Sequence, residues 1–220
     1  MSDTARERIL QNMRSALKEP SPSSQEPVDL PFTRWSHGEK IDILKTNLES
    51  VRAEVHLTNE NAWQEVLKGL LKEKQINSLL YAPAVDPGKQ AFEMVGRDQE
   101  SSTEWIAYQA QVEDFKNKLF EIDAAITGAR GAIAENGAII LWPDENEPRL
   151  MSLVPPIHIA VVQASSIFGT FSEAMESEKW NEGMPSNVIL VSGPSKTADI
   201  ELVLAFGVHG PKELIVMIVD

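Results

Sequence analysis

The sequence predicts an α/β fold: a doubly wound, mainly parallel sheet with flanking helices, preceded by an N-terminal helical arm. Two observations carry this expectation. From Lys40 onward, segments with helical spacing alternate with short apolar runs, the pattern of βαβ units. Runs such as Ser78–Ala82 (SLLYA), Ile157–Val162 (IHIAVV) and Glu213–Val219 (ELIVMIV) are apolar at nearly every position, as strands buried on both faces are. A proline- and serine-rich stretch, Glu19–Pro31 (EPSPSSQEPVDLP), sets residues 1–35 apart from a domain spanning 36–220.

Taken in order, Asp3–Lys18 reads as an amphipathic helix with Ile9, Met13, Ala16 and Leu17 on a narrow stripe. It is either a loosely ordered tail or an arm that packs on a partner or a second copy of the chain. Ile41, Leu44, Leu48 and Val51 mark a helix, and Ala53–Leu57 a short strand. Thr58 is the expected N-cap of a helix through Trp63, Val66, Leu67, Leu70 and Leu71. Ser78–Ala82 is a strand, Pro87–Met94 a short helix, and Trp105–Lys118 fits a helix less cleanly. Asp123–Ile126 is a short strand. Gly131–Pro143 (GAIAENGAIILWP) is two apolar runs about the turn Asn136-Gly137. Ile157–Val162 is a strand, Ile167–Met175 a helix and Val188–Val191 a strand. The segment SGPSKTADIELVLAFG is a loop running into a helix, and Glu213–Val219 closes the chain.

Composition bounds the function. The chain has 220 residues, 20 Lys and Arg, 33 Asp and Glu, and a net charge of −13. That balance argues against nucleic acid and anionic membrane surfaces as main partners. There is no cysteine, which removes disulfides, thiolate clusters and a cysteine nucleophile. The first residues are charged throughout and no apolar stretch reaches membrane-spanning length, so a cytoplasmic protein is expected. No histidine pair has metal-ligand spacing, and no metal site is expected.

Three segments could carry chemistry. In Val188–Gly207, a strand turning into a helix through Ser192-Gly193-Pro194-Ser195-Lys196-Thr197 would present free backbone amides to an anion. Gly193, Ser195, Lys196 and Thr197 would bind it, with Asp199 in the helix's first turn; a plain N-cap is the alternative. In Thr127–Gly137 (TGARGAIAENG), Gly128 and Gly131 allow close approach to a ligand, and Gly137 sits in the turn. Glu135 there is a candidate nucleophile or base, or else a solvated turn residue. In Arg149–His158 (RLMSLVPPIH), His158 is the best general-base candidate or else a hydrogen-bonded core histidine. Arg130, Arg149 and Lys196 are three of only five bases in residues 123–220. Brought together, they would make one positive patch on an acidic protein.

The stretches TGARGAIAENGAIIL, RLMSLVPPIHIAVV and SGPSKTADIELVLAFGVHGP, in this order, resemble the lactate-utilisation protein C family, the LUD domain. The resemblance implies the fold of the sugar-phosphate isomerase and CoA-transferase superfamily. It implies a role in bacterial oxidation of L-lactate to pyruvate. TGARG, Glu135, PPIH and SGPSKT all fall near strand ends, so a non-redox subunit binding a small anion there is expected. Iron–sulfur clusters are then expected only on partner proteins, with no cofactor in this chain. Family members often carry Thr at the position of Asn136. Here Glu135-Asn136-Gly137 resembles the stretch bearing the catalytic glutamate of class I CoA-transferases. The alternative is therefore a freestanding CoA-transferase-like or sugar-phosphate enzyme using Glu135. A homo-oligomer formed through the arm is a further expectation.

Overall fold

A computed structural model of the chain describes residues 3–16, 34–98, 102–108, 112–198, 204–207 and 209–220. The chain divides into Met1–Thr33 and Arg34–Asp220. The first unit contains helix α1 (Asp3–Ala16), which leaves Ile9, Leu10 and Met13 exposed.

In the second unit the elements begin with α2 (His37–Ser50), β1 (Glu54–Thr58), α3 (Trp63–Glu73) and β2 (Ser78–Tyr81). Next come α4 (Gly88–Ala91), continued by a π-helical turn over Phe92–Gly96, then β3 (Glu104–Ala107), α5 (Val112–Leu119) and β4 (Ala124–Gly128). The hairpin strands β5 (Gly131–Ile133) and β6 (Ala138–Leu141) follow, with α6 (Leu150–Leu153), β7 (Ile157–Gln163), β8 (Ile167–Phe168) and α7 (Phe171–Ser177). The chain ends with β9 (Ile189–Val191), β10 (Lys196–Ala198), β11 (Leu204–Phe206) and β12 (Glu213–Val219).

The central sheet has the order β1-β12-β7-β4-β2-β3, and every pairing is parallel. Its apolar strands are buried on both faces, as expected. One face packs Leu79, Ile126, Ile159 and Ile215 against α3 and the α4 segment. The other packs Leu80 and Ala125 against Phe115 and Leu119 of α5 and Met151 of α6. Farther along that face Ala160, Val162 and Val216 meet Leu44 and Leu48 of α2 and the second sheet, β8-β5-β6-β9. This is the doubly wound α/β architecture. From β2 the chain steps outward to β3, returns past β2 to β4, and then winds the other way through β7 and β12. The winding direction reverses between β2 and β4. In such sheets the crevice for a ligand opens at that reversal, outside the carboxyl ends of the strands.

Local chemistry explains several boundaries. Ser36 caps α2 with a reciprocal capping box: its hydroxyl accepts from the Glu39 amide while the Glu39 carboxylate accepts from the Ser36 amide. Gly69 lies exposed in α3, and a Cβ added there would meet nothing within 4 Å. Gly69→Ala is therefore expected to stabilise the chain by about 0.5–1 kcal/mol, read as a raised urea midpoint, because alanine loses less backbone entropy in a helix.

Four sequence expectations are corrected. Thr58 ends β1, paired with Val219, and α3 starts only at Trp63 after a turn. Trp105 lies in β3, not in a helix, and the helix there is α5 alone. Both faces of β3 are covered, which blurs its period. Ile167–Phe168 form a strand, and α7 begins after the Thr170 cap. Most consequentially, Lys196–Ala198 pair antiparallel with Leu204–Phe206. The Gly193–Thr197 segment thus enters a β-hairpin, and the helix N-terminus expected there is absent among the described residues. Asp199 lies outside them. No helix among the described residues is long and apolar enough to cross a membrane.

Candidate functional site at the reversal of the sheet

Gly128, the last residue of β4, stands where the winding reverses. Its amide donates to both carboxyl oxygens of Glu147, at 3.1 and 3.2 Å. Glycine lets the chain come this close: a Cβ would lie 3.1 Å from the Asp86 carbonyl oxygen and 3.1 Å from Pro87 Cδ, tighter than ordinary van der Waals contact. Those two residues belong to the loop leaving β2, which contains a cis Asp86–Pro87 peptide. The two strands flanking the reversal therefore bring their carboxyl-terminal loops into contact at one glycine.

Glu147 reaches this edge through an Asx turn. The Asp144 side chain accepts from the amides of Asn146 and Glu147, at 2.7 and 2.9 Å. Burial pushes the Glu147 carboxyl up to about 7, Asp144 adding to the rise and the Gly128 amide opposing it. It therefore changes charge near neutrality, unlike an ordinary glutamate.

Thr127 is buried beside Gly128, and its Oγ1 lies 2.8 Å from Nε2 of His158. His158 is 1% exposed, and burial pushes it down to about 4, so the ring is neutral at physiological pH. Its Nδ1 is buried without a partner. A buried N–H lacking an acceptor is rarer than a buried acceptor lacking a donor. The proton is therefore assigned to Nε2, which donates to Thr127 Oγ1. That leaves the Thr127 hydroxyl proton free to point into the site. Trp142, Arg149 and Ser152 complete the lining. Arg149 is exposed. Arg130 lies over the Trp142 ring at 5.5 Å and bonds Glu178.

Of the residues singled out from the sequence, the structure brings together Gly128 and Arg149, with His158 behind Thr127. Gly131 opens β5, with Ser166 and Phe168 against it. Glu135 is exposed at the other end of that hairpin, where Asn47 of α2 donates to the Ala134 and Glu135 carbonyls. Gly137, at φ +63°, packs on Asn47 and Leu48. Gly193 packs on Val51, before the start of β1. The Ser195 amide donates to the Pro211 carbonyl at 2.8 Å. The Lys212 amide donates to the Pro156 carbonyl at 2.7 Å, at the amino ends of β7 and β12. Gly193, Ser195 and exposed Lys196 thus belong to the amino edge of the sheet, opposite Gly128. The three bases form no single patch. Thr197 pairs with Ala205 through its backbone.

Sequence reasoning missed Thr127 and Glu147. The available signal was Asp144-Glu145-Asn146-Glu147-Pro148, an Asx turn that can fold one carboxylate inward. Among the described residues, no group of three or more His, Asp or Glu is placed to hold a metal ion.

Comparison with known proteins places this architecture. The chain is 35% identical over 222 residues to an uncharacterized protein of Neisseria meningitidis serogroup B, covering 97% of this chain and 93% of that protein. It is 31% identical over 198 residues to lactate utilization protein C 1 of Bacillus mycoides, covering 86% of this chain and 82% of that one. It is 26% identical to lactate utilization protein C of Bacillus subtilis, covering 80% and 77%. A crystal structure of a DUF162 family protein from Deinococcus radiodurans shares the fold, with a TM-score of 0.60 and 22% identity, covering 85% of this chain and all of that one. The LUD domain family model matches residues 41–219, and the chain belongs to that family.

Proposed function

We propose that this chain serves bacterial L-lactate utilisation, the oxidation of lactate to pyruvate, as a subunit that does no redox chemistry of its own. Iron–sulfur partner proteins carry the electrons, and this chain binds a small anion at the carboxyl ends of its central strands. The similarity to proteins named lactate utilization protein C, over about four fifths of the chain, supports the role. The absence of cysteine agrees with clusters held elsewhere.

The single observation that carries the location is the Gly128–Glu147 contact at the reversal between β2 and β4. The Thr127 hydroxyl and the exposed Arg149 line the same edge beside Glu147, and both are groups that recognise an oxyanion. Glu135 has no part in this reading, because it projects from the hairpin tip beside α2.

Deletion of the gene is expected to abolish growth on L-lactate as sole carbon source and to stop pyruvate formation from it. Growth on glucose should continue, and a plasmid copy should restore growth on lactate. Unimpaired growth of the deletion strain on L-lactate would count decisively against the role.

A further inference from the structure

We propose that helix α1 of one copy of the chain docks in a groove beside Trp180 of a second copy, and that two copies form a dimer by exchanging these helices. This contact is independent of the lactate role and of the crevice at Gly128.

The outer face of the second sheet is covered by α7 and the turn over Trp180–Glu182, where Ala174 and Trp180 close the cluster around Ile133 and Ile140. Outside that cover lies an open groove of about 620 Å³. Its apolar lining is Met175, Trp180 and Met184, and its charged lining is Glu176, Lys179 and Glu182. Both methionines are exposed, Met184 by 64%. Thioether side chains are unbranched and polarisable, so they conform to whatever apolar surface meets them, and an exposed apolar floor with a polar rim marks an interaction surface. Glu173–Glu182 holds four glutamates and one lysine. Lys179 lies 3.9 Å from Glu182 with both side chains exposed, which leaves the Glu176 carboxylate for an incoming cation.

The matching surface belongs to α1, DTARERILQNMRSA. Ile9, Leu10 and Met13 lie at i, i+1 and i+4, on one stripe, and all three are exposed, Met13 by 61%. A helix of 14 residues is marginal in water by itself, so packing of that stripe is what would hold it. Arg6 stands one turn before Ile9, and Arg14 one turn after Leu10. Within a chain of net charge −13, α1 has three arginines against two acids, the complement of a glutamate-rich groove. Its stripe on the methionine floor, with arginines against the glutamate rim, is the helix-in-groove mode of recognition.

Stripe and groove are both exposed in the single chain, so each lacks a cover that a second copy supplies. Exchange of helices covers two stripes and two grooves in one closed two-fold arrangement. The second contact then forms as an intramolecular step after the first.

Light scattering and sedimentation velocity of the full chain at low ionic strength test this. The unmodified chain is expected at twice its own mass, with dissociation favoured by salt. Two doubly substituted chains reverse the charge on one side only: Arg6→Glu with Arg14→Glu, and Glu176→Lys with Glu182→Lys. Each is expected to dimerise at least about tenfold more weakly, because like charges then face one another. Mixed in equal amounts, the two should restore the dimer. The acidic helix of one then meets the basic groove of the other, and the unchanged helix meets the unchanged groove. Met13→Asp should abolish the dimer without changing the far-ultraviolet circular dichroism of the chain. All five substituted side chains are exposed, so the fold itself is not at stake. A monomeric unmodified chain would overturn the proposal, whether α1 then covers its own groove, another protein or nothing. A dimer that survives Met13→Asp or the charge reversals would overturn it as well, as would reversed variants that stay monomeric when mixed.

Discussion

Between pH 4.5 and 6.5 the stability of the unmodified chain is expected to be nearly flat with respect to these two groups, because His158 and Glu147 pull in opposite directions. His158 is pushed down to about 4 in the folded chain, against about 6.5 unfolded. The unfolded chain binds more protons between those values, so the stability present above pH 6.5 is lost as pH falls towards 4. Glu147 is pushed up to about 7, against about 4.5 unfolded. There the folded chain binds more protons, and stability present below pH 4.5 is lost as pH rises through 7. Each contribution amounts to at most about 3 kcal/mol, and where the windows overlap they cancel. Single variants remove one side of the balance. In Glu147→Gln, stability should rise from pH 4.5 to 6.5, where the unmodified chain stays nearly flat, by up to about 1.4 kcal/mol per pH unit. In His158→Gln, which keeps a polar partner for Thr127, it should fall from pH 4.5 to 7. Urea denaturation at pH 4.5, 5.5, 6.5 and 7.5 reads both slopes. Variants running parallel to the unmodified chain would show that neither group is held in its unusual state.

The same two residues show what was legible in the sequence. His158 stood out because a polar residue inside IHIAVV is conspicuous by its neighbours. Its partner Thr127 did not, since a threonine at a strand end looks ordinary. Glu147 was hidden in an acidic surface run, and its importance depends on facts no local window contains. One is the Asx turn that aims it inward. The other is the strand order that makes the end of β4 a reversal point. The parallel sheet was legible for the opposite reason: burial on both faces leaves its mark in nearly every residue of runs such as Glu213–Val219, with six of its seven residues buried. The hairpin turn at Asn136-Gly137 was also local, and Gly137 takes the positive φ it requires. The SGPSKT segment misled because a small-residue loop before Ile200, Val203 and Leu204 has the local pattern of a capped helix. Its true partner is set by pairing of Thr197 with Ala205 across the hairpin, and spacing does not reveal that.

Gly131→Ala is expected to destabilise the chain by about 2–3 kcal/mol, lowering the melting temperature by roughly 5–10 °C in a protein of this size. The sequence suggests that this glycine lets the backbone approach a ligand; the packing gives it a different task. A Cβ at Gly131 would stand 2.5 Å from the Ser166 carbonyl oxygen and 2.9 Å from the Phe168 ring. The ring can turn a little. The carbonyl belongs to backbone leading directly into β8 and cannot swing aside. Relief requires β5 to move off β8, its parallel neighbour through Ala132–Ile167 and Ile133–Phe168. That motion pulls Ile133 from the cluster it forms with Ile140, Phe168 and Trp180, and Ala132 from the contact between the two sheets. Both residues are fully buried, so loosened packing is felt without relief from solvent. Gly69→Ala is the matched comparison, the same added methyl in open space with the opposite sign. If Gly131→Ala melts like the unmodified chain but fails to restore growth on L-lactate to the deletion strain, the ligand-approach role is the correct one. If it melts early while Gly69→Ala does not, Gly131 is there to let two strands touch.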